Sequence, residues 1–396
     1  MNASAPLPTE RSRLHFDSLP PLSLYLHLPW CVRKCPYCDF NSYEARGALP
    51  DRDYVEALLR DLRAEAPLAQ GRVVDTVFLG GGTPSLFSGE AIGMLLAGVR
   101  AEIGLAADVE ITLEANPGAV DAARFAAFRA AGVDRLSIGV QSFREAKLRA
   151  LGRVHGAAEA RTAVATARAA GFDNLNLDLM YGLPDDDVDG GLADLEEALR
   201  LKPEHLSWYQ LTLEPNTAFE RRPPPLPADD AIAELEVRGR VLLAAEGFGR
   251  YEISAYARED FRCRHNLNYW RFGDYLGLGA GAHGKITLVD DQELERRVKA
   301  RNPRTYALSA GAAAATTRER VAAPEQAALE FLLNALRLPD GVGVGVFEAR
   351  AGQPVAMIAA GRAAAVERGW LVDDAVVLRA TPAGLERLNR LLELFA

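Results

Sequence analysis

At 396 residues, 49% of them hydrophobic and 25% charged, the chain is long for one domain and has the composition of an ordinary folded protein. A formal charge of −9 argues against broad nucleic-acid binding, and no run of about 18 apolar residues is present to form a transmembrane helix. Four cysteines are too few for a disulfide framework and point to a reducing compartment, the cytoplasm.

Residues 1–21 carry Pro6, Pro8, Pro20 and Pro21 among scattered charges and lack the apolar run of a signal peptide. They are expected to be a disordered lead-in. Ser23–His27 reads as a first strand, and the loop behind it holds Cys31, Cys35 and Cys38. Beyond the loop, strands of about five residues alternate with helices of 10–15, the pattern of βαβ units around a parallel sheet. Strands are predicted at Val73–Leu79, Val109–Leu113, Arg135–Ile138, Asn174–Leu179 and His205–Leu211. The first strand makes six before residue 212. A helix over Asp229–Glu246 and a seventh, edge strand over Gly249–Ala255 follow.

The expected fold is therefore α/β, a partial (β/α)6 barrel over 22–286. Residues 287–323, where Arg296, Arg297, Lys299, Arg301 and Arg304 gather, read as a surface linker. Helices and a short hairpin over 324–396 have the layout of a winged helix. The acids of that region outnumber its bases, so a cap or partner-docking domain fits better than a phosphate-binding one.

The chemistry gathers where strands end. The cysteine loop, the Gly80–Thr83 turn, Glu114, Gln141 and Asp178 all fall at or just past the carboxyl end of a predicted strand, the face on which β/α barrels build active sites. Three thiols within eight residues, with no fourth nearby, suit an iron–sulfur cluster better than a structural zinc, which wants four protein ligands. Consecutive glycines let backbone approach a ligand, and Glu114 and Asp178 can accept from hydroxyl or amino groups. Arg153 can pair with a carboxylate. Further on, His265, Asn266, Tyr269 and Trp270 put an imidazole, an amide, a phenol and an indole within six residues, before a glycine-rich stretch. An imidazole can ligate iron and aromatic rings can lie on a porphyrin plane. Cys263 is open to two readings, a further iron-reaching thiol or a small buried one.

The segments Tyr25-Leu-His-Leu-Pro-Trp-Cys31, Cys31-x3-Cys35-x2-Cys38, Gly80-Gly-Gly-Thr-Pro84, Leu113-Glu-Ala-Asn-Pro117, Ile138-Gly-Val-Gln-Ser142, Leu151-Gly-Arg-Val-His155 and Leu177-Asp-Leu-Met-Tyr-Gly-Leu-Pro184 resemble the coproporphyrinogen dehydrogenase branch of the radical S-adenosylmethionine (SAM) superfamily. The resemblance runs from about Leu22 to the end of the chain. It implies a [4Fe–4S] cluster on Cys31, Cys35 and Cys38. It also implies SAM contacts from Tyr25, Gly81, Gly82 and Glu114, with Tyr37, Thr83, Gln141, Arg153 and Asp178 where the dehydrogenase binds a second SAM. Two departures stand out. The dehydrogenase has a cysteine two residues beyond its third, where this chain has Phe40. And His265-Asn-Leu-Asn-Tyr269-Trp270 is similar to the signature of a sister group, the HemW-type heme chaperones. That resemblance implies heme binding through His265, Asn266, Tyr269 and Trp270, delivery to respiratory proteins, some membrane-associated, and no dehydrogenase activity. The competing expectations are a true dehydrogenase and a non-catalytic iron–sulfur sensor.

Overall fold

The structure, a computed structural model, describes residues 13–321 and 323–396. Strands β1 (Leu22–Leu28), β2 (Val74–Gly81), β3 (Leu105–Ala115), β4 (Arg135–Gln141), β5 (Leu175–Tyr181) and β6 (His205–Gln210) lie parallel and side by side in chain order. Helices α1 (Asp51–Glu65), α2 (Gly89–Glu102), α3 (Ala122–Ala131), α4 (Ala157–Ala169) and α5 (Val188–Arg200) connect them.

The period-2 alternation of a strand sorts the residues. In β1, Leu22, Leu24, Leu26 and Leu28 are buried in the same apolar core as Val55, Leu58 and Leu62 of α1. Ser23, Tyr25 and His27 take the other face. The rule repeats across the sheet: Leu136, Ile138 and Val140 alternate with Ser137, Gly139 and Gln141 in β4, and Leu175, Leu177 and Leu179 with Asn176 and Asp178 in β5. The concave face is thus polar along its length, and its register is fixed because a one-residue slip would turn every leucine into it.

The sheet does not close. After α6 (Asp229–Ala245), β7 (Gly249–Arg250) and β8 (Ala255–Ala257) finish one edge, β8 antiparallel to β6. The single strand expected over 249–255 is two short ones. On the other side of β1 lies β9 (Asp274–Leu278), parallel to it, followed by the antiparallel strands β10 (His283–Leu288), β11 (Glu293–Lys299) and β12 (Thr316–Val321). The six parallel strands of the expected open barrel are thus part of a 12-stranded mixed sheet with β1 inside it.

The stretch 287–323, expected as a surface linker, instead supplies β11, β12 and a short helix over Pro303–Ser309. Two of its charges mislead because they point inward, Arg297 and Lys299. Lys299 Nζ lies 2.7 Å from Asp61 and 3.0 Å from Glu65 of α1, and Arg297 lies 2.7 Å from Glu65. Tyr306 donates to Asp61 at 2.7 Å, and all these side chains are buried. Charges buried this way stay only when paired.

The lead-in also needs correcting where it is described; residues 1–12 lie outside the described residues. Leu14 and Phe16 are buried in the C-terminal core, and the Gln292 side chain bonds both the N–H and the carbonyl of Phe16. That core rests on α8 (Pro324–Ala335) and α9 (Val344–Ala351), with a further helix over Ala359–Glu367. A small hairpin follows, in which Leu371 bridges Ala380 and Val377–Leu378 pairs with Val342–Gly343, giving a mainly helical, winged-helix-like unit. Among the described residues no helix is long and apolar enough to cross a membrane.

Candidate functional site

Past the end of β1, the loop from Trp30 to Glu44 is pinned on several sides. Tyr43 N–H donates to Pro29 O at 2.8 Å and Ala45 N–H to Cys31 O at 2.9 Å. The Lys34 ammonium donates to Phe40 O at 2.8 Å, and Asn41 Nδ2 reaches across to Ala280 O at 2.8 Å. Cys31, Cys35 and Cys38 are half-buried in this loop. Burial raises the Cys31 and Cys38 thiols above the ordinary cysteine range, with bonds from Thr83 and Ser42 opposing the rise at Cys31. Among the described residues no three such side chains converge on one point to hold a single metal ion. A four-iron cluster asks something different, that each thiolate meet its own iron, and three thiols around a pocket fit that demand.

The pocket beside the thiols is about 330 Å³, and Tyr37, Gly81, Gly82, Thr83, Glu114, Gln141, Arg153 and Asp178 all line it. Eight residues scattered through the sequence meet there because they lie at the carboxyl ends of the parallel strands or in the segments that follow them. Glu114 accepts from Gly81 N–H at 3.1 Å; burial and the nearby Asp178 push its carboxyl up to about 8. Asp178 accepts from Asn176 Nδ2 at 2.7 Å and Ser137 Oγ at 3.1 Å. Gln141 takes a positive φ of 70° and accepts from Tyr209 OH at 2.7 Å. Arg153 donates to Gly139 O at 2.6 Å and lies 3.6 Å from Cys35 Sγ, while its buried Nε has no partner. An unpartnered guanidinium nitrogen, two acidic side chains whose pKa burial raises and bare backbone suit a zwitterionic amino-acid moiety.

The glycines have a reason the sequence did not suggest. A Cβ at Gly81, where φ is +113°, would lie 2.5 Å from the His27 ring, and one at Gly82 would lie 2.6 Å from Trp30 O. The turn is bare so that it can pack against β1 and the cysteine loop. Tyr25 stands one step away, its hydroxyl 2.9 Å from His27 Nδ1, while His27 Nε2 donates to Asn41 O at 2.9 Å.

A second cavity, about 800 Å³, adjoins the first and shares Phe40, Gly81 and Glu114 with it. Its volume lies within the roughly 300–1,000 Å³ of ligand pockets. Tyr25, Tyr269, Trp270, Phe272 and Tyr275 give it aromatic walls, and His283, Lys285, Arg296 and Arg301 bring nitrogen bases. Trp270 Nε1 is buried with no partner. Phe40, 59% exposed, stands between the two cavities.

The predicted heme residues divide. They belong to helix α7 (Arg264–Trp270), whose first turn is capped from a distance: Glu110 accepts from Arg264 N–H and His265 N–H, both at 3.1 Å. Tyr269 and Trp270, at its other end, line the large cavity. His265 does not. It is buried, one ring nitrogen 2.8 Å from Thr76 Oγ1 and the other 3.0 Å from Tyr269 OH, and burial beside Arg135 pushes its pKa down to about 3. Asn266 also lies outside the cavity lining, and the amide that works in this helix is Asn268, which donates to Ser23 Oγ and Asp274 O. Expecting His265 and Asn266 at an open heme face is thus corrected: neither lines the cavity, and His265 with Asn268 anchors the helix in the concave face. Cys263 is likewise sealed, 3.7 Å from Glu110, with its thiol pushed up to about 12 by burial.

Sequence reasoning missed His27, Ser137, Ser207 and Tyr209 on the concave face and His283, Arg296 and Arg301 in the second cavity. Strand alternation would have found the first group. The spacing Gly279-Ala-Gly281-Ala-His283 was the signal for the second.

Half-buried thiols in a loop above the carboxyl ends of six parallel strands define a radical SAM domain, and residues 25–198 match the model of the Radical SAM superfamily, with residues 322–386 matching the HemN C-terminal domain. The heme chaperone HemW of Escherichia coli is 51% identical over 95% of this chain and 98% of its own, and HemW of Haemophilus influenzae 45% identical over 95% and 98%. Coproporphyrinogen III oxidase (HemN) of E. coli, a solved structure, superimposes with a TM-score of 0.80 over 95% of this chain and 90% of its own; at 23% identity that likeness is one of fold. The chain belongs to the HemW family.

Proposed function

We propose that this protein is a cytoplasmic heme chaperone, which holds a [4Fe–4S] cluster on Cys31, Cys35 and Cys38, binds SAM in the adjoining pocket, and carries one heme in the aromatic cavity for transfer to heme-accepting respiratory proteins, some of them membrane-associated. The adjacency of the two cavities carries this reading, for Phe40, Gly81 and Glu114 belong to both. When bound, the cluster supplies an open iron for the amino-acid moiety of the nucleoside. The chain's own part is to hold and orient. Glu114 and the Gly81–Thr83 backbone would take the ammonium group, Arg153 a carboxylate, and Asp178, Ser137 and Gln141 the remaining hydroxyl and amino groups. Tyr269 and Trp270 give the cargo flat apolar surfaces, and Arg301, which makes no ion pair among the described residues, is available to its carboxylates.

The competing reading is the dehydrogenase, favoured by the fold shared with HemN. Phe40 in place of a cysteine and the aromatic end of α7 favour the chaperone. Anaerobic reconstitution should give about four irons and four sulfides per chain. The reconstituted protein should take up about one heme and leave coproporphyrinogen III unchanged with SAM and reductant. Turnover on the order of 1 s⁻¹ or faster would replace the chaperone with the dehydrogenase; neither heme uptake nor turnover would leave an iron–sulfur sensor.

A further inference from the structure

We propose that His283 is the side chain that ligates the iron of the bound heme, an inference that rests on the heme-carrying function proposed above. Heme iron is held by an imidazole, thiolate, thioether or phenolate from the protein. Two imidazoles line the aromatic cavity and a third stands behind it, so the question is which has a nitrogen to give. His27 is buried, and both its ring nitrogens are engaged, by Tyr25 OH and Asn41 O at 2.9 Å each. His265 is buried and engaged at both nitrogens as well. His283 is exposed and lines the cavity, and its side chain makes no hydrogen bond among the described residues. Partial burial and the nearby Arg296 and Arg301 lower its pKa, which favours the neutral ring that metals bind.

The backbone that presents it is held fast. Gly279 and Gly281 take φ of +108° and +76°; a Cβ at the first would lie 2.3 Å from His27 O, and one at the second 2.5 Å from Asn41 Nδ2. Asn41 Nδ2 bonds Ala280 O between them. His283 then opens β10 opposite Val298, which also lines the cavity. The surroundings suit a flat dianion: aromatic faces from Tyr269, Trp270 and Tyr275, and the cationic Arg296 and Arg301 for two carboxylates, with Arg296 shared with Glu330. Of the acids in the lining, Asp39 is exposed and Glu114 keeps its proton to about pH 8.

The test uses the full-length protein titrated with hemin and followed by its Soret band and by electron paramagnetic resonance. His283→Ala should weaken binding roughly tenfold or more and change both spectra, and free imidazole should restore them in His283→Gly. His265→Gln, if it folds, should keep the wild-type spectra; Arg301→Ala should weaken binding without a spectral shift. Wild-type spectra in His283→Ala would overturn the assignment while leaving the carrier function intact. A wild-type protein that takes up no heme would remove the carrier function itself, and this assignment with it.

Discussion

The parallel strands β1 to β6 and the strands β9 to β12 beyond them build their cores from different materials. In the first, leucine, isoleucine and valine alternate with polar residues strand after strand, and the apolar faces meet the helices. In the second, Arg297 and Lys299 of β11 run into Asp61 and Glu65 of α1, and Lys285 of β10 into Asp274 of β9 at 2.9 Å. Each half also gives the larger share of one cavity: the parallel half the thiol pocket, the other half the aromatic one. The difference teaches that a buried layer made of ion pairs has the sequence pattern of a surface.

The sharpest way to separate the halves is at the thiols. Cys31→Ser, Cys35→Ser or Cys38→Ser should remove the cluster entirely, by iron and sulfide analysis, yet leave heme uptake in place; Cys263→Ser should change neither. Equal cluster loss in Cys263→Ser would undo the three-thiol assignment.

Next in size is the ion-pair layer. Lys299→Met leaves Asp61 without a cation in the interior and should cost about 3–5 kcal/mol, comparable with the about 2–5 kcal/mol expected for Leu26→Ala in β1. Urea denaturation of the two variants compares the halves directly. A loss below about 1 kcal/mol for Lys299→Met would mean that the outer strands are held some other way.

Smaller effects belong to the pocket wall. Gly82→Val, with no room beside Trp30 O, and Glu114→Ala should each weaken SAM binding by about 1–3 kcal/mol, roughly five- to 150-fold; unchanged affinity of both in calorimetry would move the SAM site elsewhere. Glu114 also gives a pH signature. Its folded pKa of about 8 lies above the roughly 4.3 of a free glutamic acid, so the folded state binds the extra proton between those values. Stability should therefore fall as pH rises through that window, and Glu114→Gln should flatten the fall. The smallest change is Gln292→Ala, which frees the backbone of Phe16 and should cost about 1 kcal/mol, read as a lower denaturation midpoint.

How much was legible follows the same division. Alternating apolar residues exposed all six parallel strands, and the polar residues at their ends brought Cys31, Gly82, Glu114, Gln141 and Asp178 to one pocket. Glu293-Leu-Glu-Arg-Arg-Val-Lys299 read as linker because burial of its charges depends on α1, more than 200 residues earlier. His265 misled for a related reason. Its type promises a ligand, but whether a nitrogen is free depends on Thr76 and Tyr269, and only the three-dimensional arrangement decides that.

The place of β1 has a consequence for how the chain is made. This strand is the first of the sheet to leave the ribosome, yet it ends up inside the sheet, between β2 and β9. One edge is covered as soon as residues 74–81 appear, but the other waits for residues 274–278. At about 5–20 residues per second, the wait lasts on the order of ten to fifty seconds, during which Leu22 to Leu28 offers an open, apolar strand edge to any neighbour. Ribosome-bound chains stopped near residue 270 should therefore be cut readily by protease around β1, and chains that extend past residue 330 should resist. Equal resistance at both lengths would mean that something other than β9 shields that edge.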